Sequence, residues 1–240
     1  MISCIVLAAG LSERFGSPKA LAIFDTEPVI DRIQQTLLNA NMDEIIIVLG
    51  AHADVLKPRI LKHKNVSFVY NKDYILGQTS SVKAGLQKVS PEAEGFLLYP
   101  VDYPCITSAI LIGLVRIFLE KKPSILVPAY ENHKGHPPIF HKRLKKEILA
   151  LDHSLGLNTI VRAHAKDEII YPVEDPGVIK TFNTPEELAQ LQKKVWKLFV
   201  YDRRSGKVRA NIAVADKALG RKFFPLACGI RFNIRNHIRS

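Results

Sequence analysis

The sequence of 240 residues has few cysteines and no long hydrophobic run. Its cysteines, Cys4, Cys105 and Cys228, are odd in number and widely spaced, which argues against a disulfide framework or a zinc site and favours a reducing, cytoplasmic compartment. No apolar stretch approaches the roughly 20 residues that a membrane-spanning helix needs. The N-terminal apolar run lacks a preceding basic segment, which favours a buried strand over a signal peptide. We therefore expect a cytoplasmic protein with no membrane partner, and Cys4 to be a core residue rather than a reactive thiol.

The formal net charge of +11 is distributed unevenly. Residues 197–240 carry eleven basic and two acidic residues, whereas residues 1–196 carry 23 basic and 21 acidic residues. We predict two domains: residues 1–196, and a basic C-terminal extension over 197–240. The extension is expected to begin with a hairpin, with strands at Leu198–Tyr201 and Val208–Val214 around a turn at 203–206.

Five apolar runs predict buried parallel strands, and the stretches between them have helical spacing of apolar residues. The runs are Ile2–Ala8, Glu44–Leu49, Val66–Tyr70, Phe96–Tyr99 and Ile125–Pro128. This alternation predicts an α/β fold in three layers, with helices on both faces of a mostly parallel sheet. In such sheets ligands bind beyond the carboxyl ends of the strands, where the loops after Ala8 and Pro100 would meet.

The segment after the first strand has the features of a triphosphate-binding loop. Small residues let backbone N–H groups approach an anion closely, and they are followed by Arg14 and Lys19, two common phosphate ligands. The segment matches neither the Walker pattern nor the dinucleotide fingerprint. An ordinary turn with two solvated cations is the alternative. The candidate binding residues are Leu7, Ala8, Ala9 and Gly10, with Arg14 and Lys19 as catalytic candidates.

Two polar residues are candidates for the same edge of the sheet. Asp102 is a lone carboxylate at the end of a buried strand, although it could simply cap the next helix. Asn183 precedes a helix start in which Thr184 is the cap, Pro185 takes the first position and Glu187 completes a capping box. That arrangement leaves the Asn183 amide oxygen free to bind a ligand.

Two further loops are candidates for substrate contacts. The first follows the third strand and opens a helix, where free N–H groups and hydroxyls suit recognition of a base and ribose. Its candidates are Asn71, Gly77, Ser80 and Ser81, although Thr79 or Ser80 could be a helix cap. The second is a rigid turn entering a strand, containing Gly135, His136 and Pro137, in which His136 could equally be solvated.

The string from Gly10 to Lys19, G-x-S-x-R-x-G-x-P-K, resembles the Rossmann-like nucleotidyltransferases that activate sugars and cofactors. Within them, residues 1–193 are most similar to the molybdenum cofactor cytidylyltransferases. The resemblance implies a Rossmann-like nucleotide-diphospho-sugar transferase fold. It also implies transfer of CMP from CTP to the molybdopterin form of the cofactor, with release of pyrophosphate.

The resemblance also implies roles for the candidate residues. Lys19 would stabilise the α-phosphate, Arg14 would hold the pyrophosphate, and Asp102 and Asn183 would bind Mg²⁺. The loop around Gly77 would lie against the base, and the turn with Gly135, His136 and Pro137 would lie beside the phosphorylated pterin acceptor. Ala8-Ala9-Gly10, in place of Ala-Gly-Gly, favours cytosine. Val101 stands where the family commonly has Gly before the Asp, and Asn183 where it often has Asp.

Other functions remain open at this point. The acceptor could be another phosphorylated compound, such as a sugar or polyol phosphate. The basic extension could instead make the chain a binding protein, either for a molybdoenzyme that receives the cofactor or for single-stranded nucleic acid. Neither of these binding roles explains the phosphate loop. The extension could also present only a solvated basic face.

Overall fold

A computed structural model of the chain describes residues 1–196, 199–202 and 207–210. The chain separates into two compact units, Met1–Trp196 and Lys197–Ser240. In the second unit, strands at Phe199–Asp202 and Lys207–Ala210 pair antiparallel. The turn predicted at 203–206 and the predicted continuation of the second strand to Val214 lie outside the described residues.

The first unit alternates strands with helices. Its strands are β1 (Ile2–Ala8), β2 (Ile23–Phe24), β3 (Glu27–Pro28), β4 (Glu44–Leu49), β5 (Val66–Tyr70), β6 (Gly95–Pro100), β7 (Ile125–Tyr130), β8 (His133–Lys134), β9 (Ile139–His141) and β10 (Glu168–Pro172). Its helices are α1 (Val29–Asn39), α2 (Ala53–Leu56), α3 (Gln78–Lys88), α4 (Ser108–Lys121), α5 (Lys145–Ala150), α6 (Asn158–Ala163) and α7 (Pro185–Trp196). No helix in the described part of the chain is both long and apolar enough to cross a membrane.

The main sheet has the order β10-β7-β9-β6-β1-β4-β5, with β8 also paired to β7. The pairs β6/β1, β1/β4, β4/β5 and β7/β10 are parallel. Only β8 and β9 run in the opposite direction, because they pair antiparallel with β7, and β9 also with β6. The sheet is therefore mixed but mostly parallel, as predicted.

Alternate residues of β1 pack against helices on opposite faces of the sheet, because side chains alternate along a strand. Cys4 and Val6 belong to one apolar cluster, with α1, α4 and α7. Ile5 and Leu7 belong to the other, with α3, α5 and α6. The three-layer α/β fold expected from the sequence is thus confirmed, and Cys4 is fully buried in its core.

Two strand predictions need correction. The segment Val66–Tyr70 was expected to be buried, but β5 is an edge strand with one neighbour, and its Phe68 and Tyr70 are exposed. An apolar run therefore did not distinguish an edge position from a central one. Strand β10 was not predicted, because its five residues, EIIYP, include a charged residue and a proline.

Candidate functional site

A cavity of about 480 Å³ opens at the carboxyl ends of β1 and β6. Five segments line it: the loop after β1, the segment after β4 with His52 and Leu56, the loop before α3, the end of β6, and Asn183 ahead of α7. The candidates among its lining residues are Leu7, Ala8, Ala9, Gly10, Arg14, Lys19, Gly77, Ser81, Asp102 and Asn183. Residues predicted from four separate motifs are thus brought together around one space, which we call the first cavity.

The loop after β1 folds back on itself around a short 3₁₀ turn. Ser12 has a φ of 57° and Gly16 a φ of 76°, the left-handed region in which glycine carries no Cβ penalty. The Ser12 Oγ accepts a hydrogen bond from the Lys19 backbone N–H at 3.2 Å, which closes the loop. Among the described residues, the N–H groups of Gly10, Leu11 and Ser12 donate to no protein acceptor. The loop therefore retains N–H donors for an anion.

The charged groups of the cavity meet at the Lys19 ammonium. Its Nζ lies 3.7 Å from Asp102 Oδ2 and donates to Asn183 Oδ1 at 2.9 Å. Arg14 Nη2 donates to the same amide oxygen at 3.1 Å. The expectation that this oxygen is free is therefore wrong for the protein alone, because the two cations of the phosphate loop both bind it. A ligand at Asn183 must displace or share these bonds.

Contacts behind the cavity fix Asn183 relative to the loop and to Asp102. The ring of Phe15, in the loop, packs edge-on against Phe182 with centroids 5.5 Å apart. The Phe182 backbone N–H donates to the Asp102 carbonyl oxygen at 3.3 Å. Thr184 Oγ1 accepts from the Glu187 backbone N–H at 3.2 Å, as predicted for a cap. The Glu187 carboxylate, however, accepts from the Asn183 backbone N–H at 2.6 Å rather than from Thr184, so this half of the capping box is shifted by one residue.

The helix that follows β5 departs from the prediction. It begins at Gln78, after Gly77 with a φ of 94°, and no side chain caps it. Ser80 Oγ instead donates to the carbonyl oxygens of Asp73 and Gly77, each at 2.7 Å. Asn71 Nδ2 donates to the Ser80 and Ser81 hydroxyls. Asn71 and Ser80 therefore lie behind the cavity wall and shape the loop, whereas Gly77 and Ser81 line the cavity itself.

A second cavity of about 240 Å³ adjoins the first, and Leu7, Gln78 and Pro100 line both. Gly135 and His136 line it, while Pro137 is buried and not part of its wall. A Cβ on Gly135 would lie 2.4 Å from the Val178 carbonyl oxygen, so only glycine fits there. The predicted acceptor-binding turn thus lines a space next to the predicted nucleotide site.

His136, in the wall of the second cavity, is held in an unusual environment. Its ring lies against the Tyr103 ring, with centroids 4.5 Å apart. Burial lowers the pKa of His136, an effect that the nearby Asp102 charge partly opposes. Burial, followed by the Asp102 charge, raises the pKa of Tyr103. The His136 Nδ1 atom is buried without a hydrogen-bond partner among the described residues. The side chain is therefore not a solvated loop histidine.

Three residues near the nucleotide site were missed by the sequence reasoning. A Cβ on Gly50, directly after β4, would lie 2.5 Å from the Ala9 carbonyl oxygen, so this glycine lets β4 approach the phosphate loop. His52 Nε2 donates to the Leu11 carbonyl oxygen at 3.0 Å, and Gln78 lines both cavities. The glycine after a buried strand was a usable signal, whereas His52 and Gln78 stand in no recognisable pattern.

The donor atoms of the first cavity suit a hard divalent cation. Within the described ranges, no three His, Cys, Asp or Glu side chains form a metal-binding group. Asp102 and Asn183 nevertheless place a carboxylate and an amide oxygen on either side of one ammonium. Mg²⁺ prefers oxygen ligands and is often held by one or two protein groups together with substrate phosphates and water. The residues therefore fit such an ion.

Comparison with known proteins gives the chain a family and solved structures of the same fold. The sequence profile described as MobA-like NTP transferase domain matches residues 4–169. The chain is 24% identical over 193 residues to the molybdenum cofactor cytidylyltransferase of Escherichia coli strain K12, covering 80% of this chain and 96% of that protein. It is 29% identical over 154 residues to a probable molybdenum cofactor guanylyltransferase of Bacillus cytotoxicus, covering 62% and 73%. The crystal structure of a homolog of Mycobacterium tuberculosis Rv0371c from Mycobacterium sp. strain JC1 superposes with a TM-score of 0.72 at 26% identity, covering 82% and 98%.

Proposed function

Because the chain belongs to the MobA-like NTP transferase family and is a nucleotidyltransferase, we propose that it transfers CMP from CTP to the molybdopterin form of the molybdenum cofactor, releasing pyrophosphate. The observation that carries the proposal is the convergence of Arg14, Lys19, Asp102 and Asn183 in the first cavity. The similarity to a cytidylyltransferase over most of both chains supports the choice of reaction.

The reaction is a displacement at the α-phosphorus, in which the protein positions the reactants and offsets charge. Lys19 would contact the α-phosphate, where negative charge develops, and Arg14 would hold the departing pyrophosphate. Both cations now bind Asn183 and are close enough to shift onto phosphate oxygens. Mg²⁺ held by Asp102 and Asn183 would add charge neutralisation at those oxygens. The acceptor phosphate is already an anion, so the chain need not supply a general base.

The choice of CTP rests on the loop and on one relative. Ala9 stands where guanylyl-transferring relatives have glycine, and this difference supports CTP by resemblance. Its methyl group is buried in the apolar cluster that contains α3. The guanylyltransferase of Bacillus cytotoxicus is nevertheless similar to this chain, which makes GTP the competing donor to test.

The second cavity supports a ring-shaped acceptor over a polyol. Its wall is mostly apolar, including Leu98, Val127 and Phe140. A flat heterocycle can bury its faces against such a wall, whereas a polyol would lose hydrogen bonds to water there. A sugar or polyol phosphate is therefore the weaker candidate acceptor.

Incubation of the protein with each NTP, Mg²⁺ and either molybdopterin or a sugar phosphate tests the proposal by release of pyrophosphate. We expect release only when CTP and molybdopterin are both present. Release with GTP instead would change the donor, and release with a sugar phosphate would change the acceptor. No release with any pair would contradict the proposal.

We also propose that the reaction takes place in the cytoplasm and that the basic extension docks an acidic molybdoenzyme. Cys4 and Cys105 are free thiols, and burial raises the pKa of Cys105 to about 12. Unpaired, unreactive thiols suit a reducing compartment. The charge of residues 197–240 suits an acidic protein surface, although most of these residues lie outside the described part of the chain.

A further inference from the structure

The second cavity is lined by one acidic and one basic side chain, Glu168 and Lys134, and the proposed reaction gives neither of them a role. Glu168, at the first position of β10, lines the cavity opposite apolar side chains such as Leu98 and Phe140. Its side chain is only 6% exposed. A carboxylate taken from water into such a place costs free energy unless its oxygens are hydrogen-bonded. The Glu168 carboxylate therefore needs hydrogen-bond donors at this position.

The protein supplies Glu168 with one partner among the described residues. Lys134 Nζ donates to Oε1 at 2.8 Å and to Oε2 at 2.6 Å. Lys134 itself lies on β8, is 47% exposed and lines the same cavity. An ionised carboxylate accepts about four hydrogen bonds, and one ammonium leaves it capacity for more. The unused lone pairs lie at the wall of an apolar cavity.

A purely structural ion pair is the alternative, and the chain offers one for comparison. Glu94 and Lys142 are 3.2 Å apart, the Glu94 side chain is 37% exposed, and neither residue lines a cavity. Exposed pairs of that kind contribute little to stability. Glu168 differs in its burial and in lining a cavity of about 240 Å³. That difference indicates ligand recognition.

We propose that Glu168 recognises the acceptor by accepting two hydrogen bonds from adjacent N–H groups, as on the 2-amino-4-oxopyrimidine edge of a pterin. The inference rests on the proposed function and deepens it by naming the residue that selects the heterocycle. An amino group and the neighbouring ring N–H match the two oxygens of a carboxylate in bidentate geometry, and charge-assisted pairs of this kind are strong and specific. The two cavities adjoin, because Leu7, Gln78 and Pro100 line both, so the ring would lie in the second while its phosphate reaches the first.

Titration of the full chain with pterin and with lumazine tests the proposal. Lumazine carries an oxygen where pterin carries the 2-amino group, so it presents an acceptor in place of a donor. Binding is measured by pteridine fluorescence. We expect the wild type to bind pterin at least about 10-fold more tightly than lumazine, because lumazine loses a hydrogen bond to a charged group. The substitution Glu168→Gln should weaken pterin binding about 10- to 100-fold and remove the preference.

The substitution Glu94→Gln is the matched control, because it removes a carboxylate from a lysine pair outside both cavities. It should leave pterin binding unchanged. Both variants should show the same CTP-dependent thermal shift as the wild type, which establishes that they fold. A wild type that binds neither compound or both equally, or a Glu168→Gln variant that keeps the preference, overturns the proposal.

Turnover separates this inference from the function on which it rests. With molybdopterin and CTP, Glu168→Gln should raise the KM for molybdopterin while the KM for CTP stays unchanged. An unchanged KM for molybdopterin in an active enzyme overturns the role of Glu168 and leaves the transfer reaction standing. Glu168-dependent pterin binding without any transfer supports the recognition site and contradicts the reaction.

Discussion

At the residue scale, Lys19 is the centre of the candidate site. Its side chain is 15% exposed, and its ammonium contacts both candidate metal ligands. Asp102 and Asn183, which this ammonium contacts, are the residues that would hold a divalent ion in the proposed reaction. The same charge thus neutralises Asp102 before substrate binds and is available to phosphate afterwards. These two roles of the Lys19 ammonium, toward Asp102 and toward phosphate, lead to two predictions.

The substitution Lys19→Ala should lower kcat of the proposed transfer by about 10²–10³, the effect of losing one preorganised charge-stabilising group. Lys142→Ala is the control, because Lys142 pairs with Glu94 away from both cavities. Pyrophosphate release at saturating CTP is the measurement. Similar losses in the two variants would show that the effect is not specific to the site.

Lys19 should also keep the metal site weak until nucleotide binds. Replacing it by Met removes a positive charge beside Asp102 and one of the two donors to the Asn183 oxygen, while Arg14 remains. We expect Lys19→Met to bind Mn²⁺ about fivefold more tightly than the wild type in the absence of nucleotide, because one repulsive charge is removed. Calorimetric titration with Mn²⁺ measures this directly. An equal or lower affinity would mean that Asp102 and Asn183 do not form the metal site.

At the element scale, the sequence was a good guide where a strand or loop is defined locally. The strands Ile2–Ala8 and Glu44–Leu49 have the predicted bounds, and the loops after β1 and β6 meet as expected. The errors occur where residues distant in the sequence determine the burial or the hydrogen bonds of a segment. The exposure of β5 depends on what lies beside it in the sheet, and the hydrogen bonds of Asn183 depend on Arg14, 169 residues away.

Two glycines in helices test the packing of the fold, because replacing each by alanine should change the free energy of unfolding in opposite directions. A Cβ on Gly85 in α3 would lie 2.4 Å from Ile5 Cγ2 of β1, whereas a Cβ on Gly113 in α4 would meet nothing within 4 Å. Gly85→Ala should therefore lower the free energy of unfolding by about 1–3 kcal/mol through overpacking. Gly113→Ala should raise it by about 0.5–1 kcal/mol, because alanine favours a helix.

Urea unfolding of both glycine variants measures these changes. If Gly85→Ala stabilises the protein, then α3 does not pack on β1 as described. Since α3 also carries Gln78 and Ser81 into the first cavity, that result would weaken the site as well as the fold.

At the scale of the whole molecule, all the candidate site residues fall in the first compact unit. The described cavities are formed within Met1–Trp196, and the basic charge is concentrated after it. Composition alone indicated this division of charge. Composition could not indicate what the basic extension binds, since the charge of a surface predicts only the sign of its partner's charge.

A chain ending at Trp196 should keep the transfer reaction, with kcat/KM within about twofold of the full chain, because a compact domain with its own core can fold alone. The same truncation should lose salt-sensitive binding to an acidic molybdoenzyme, since that contact is assigned to residues 197–240. Transfer assays and co-sedimentation measure the two effects. A truncated chain that folds but lacks turnover would show that the extension belongs to the active site.

The central claim is that the loop after β1 binds the triphosphate of a nucleotide opposite a divalent ion. A crystal structure of the chain with CTP and Mg²⁺ tests it most directly. The account predicts phosphate oxygens bound by Arg14 and Lys19, with the ion between them and Asp102. A nucleotide bound elsewhere, or an ion that does not contact Asp102, would contradict it.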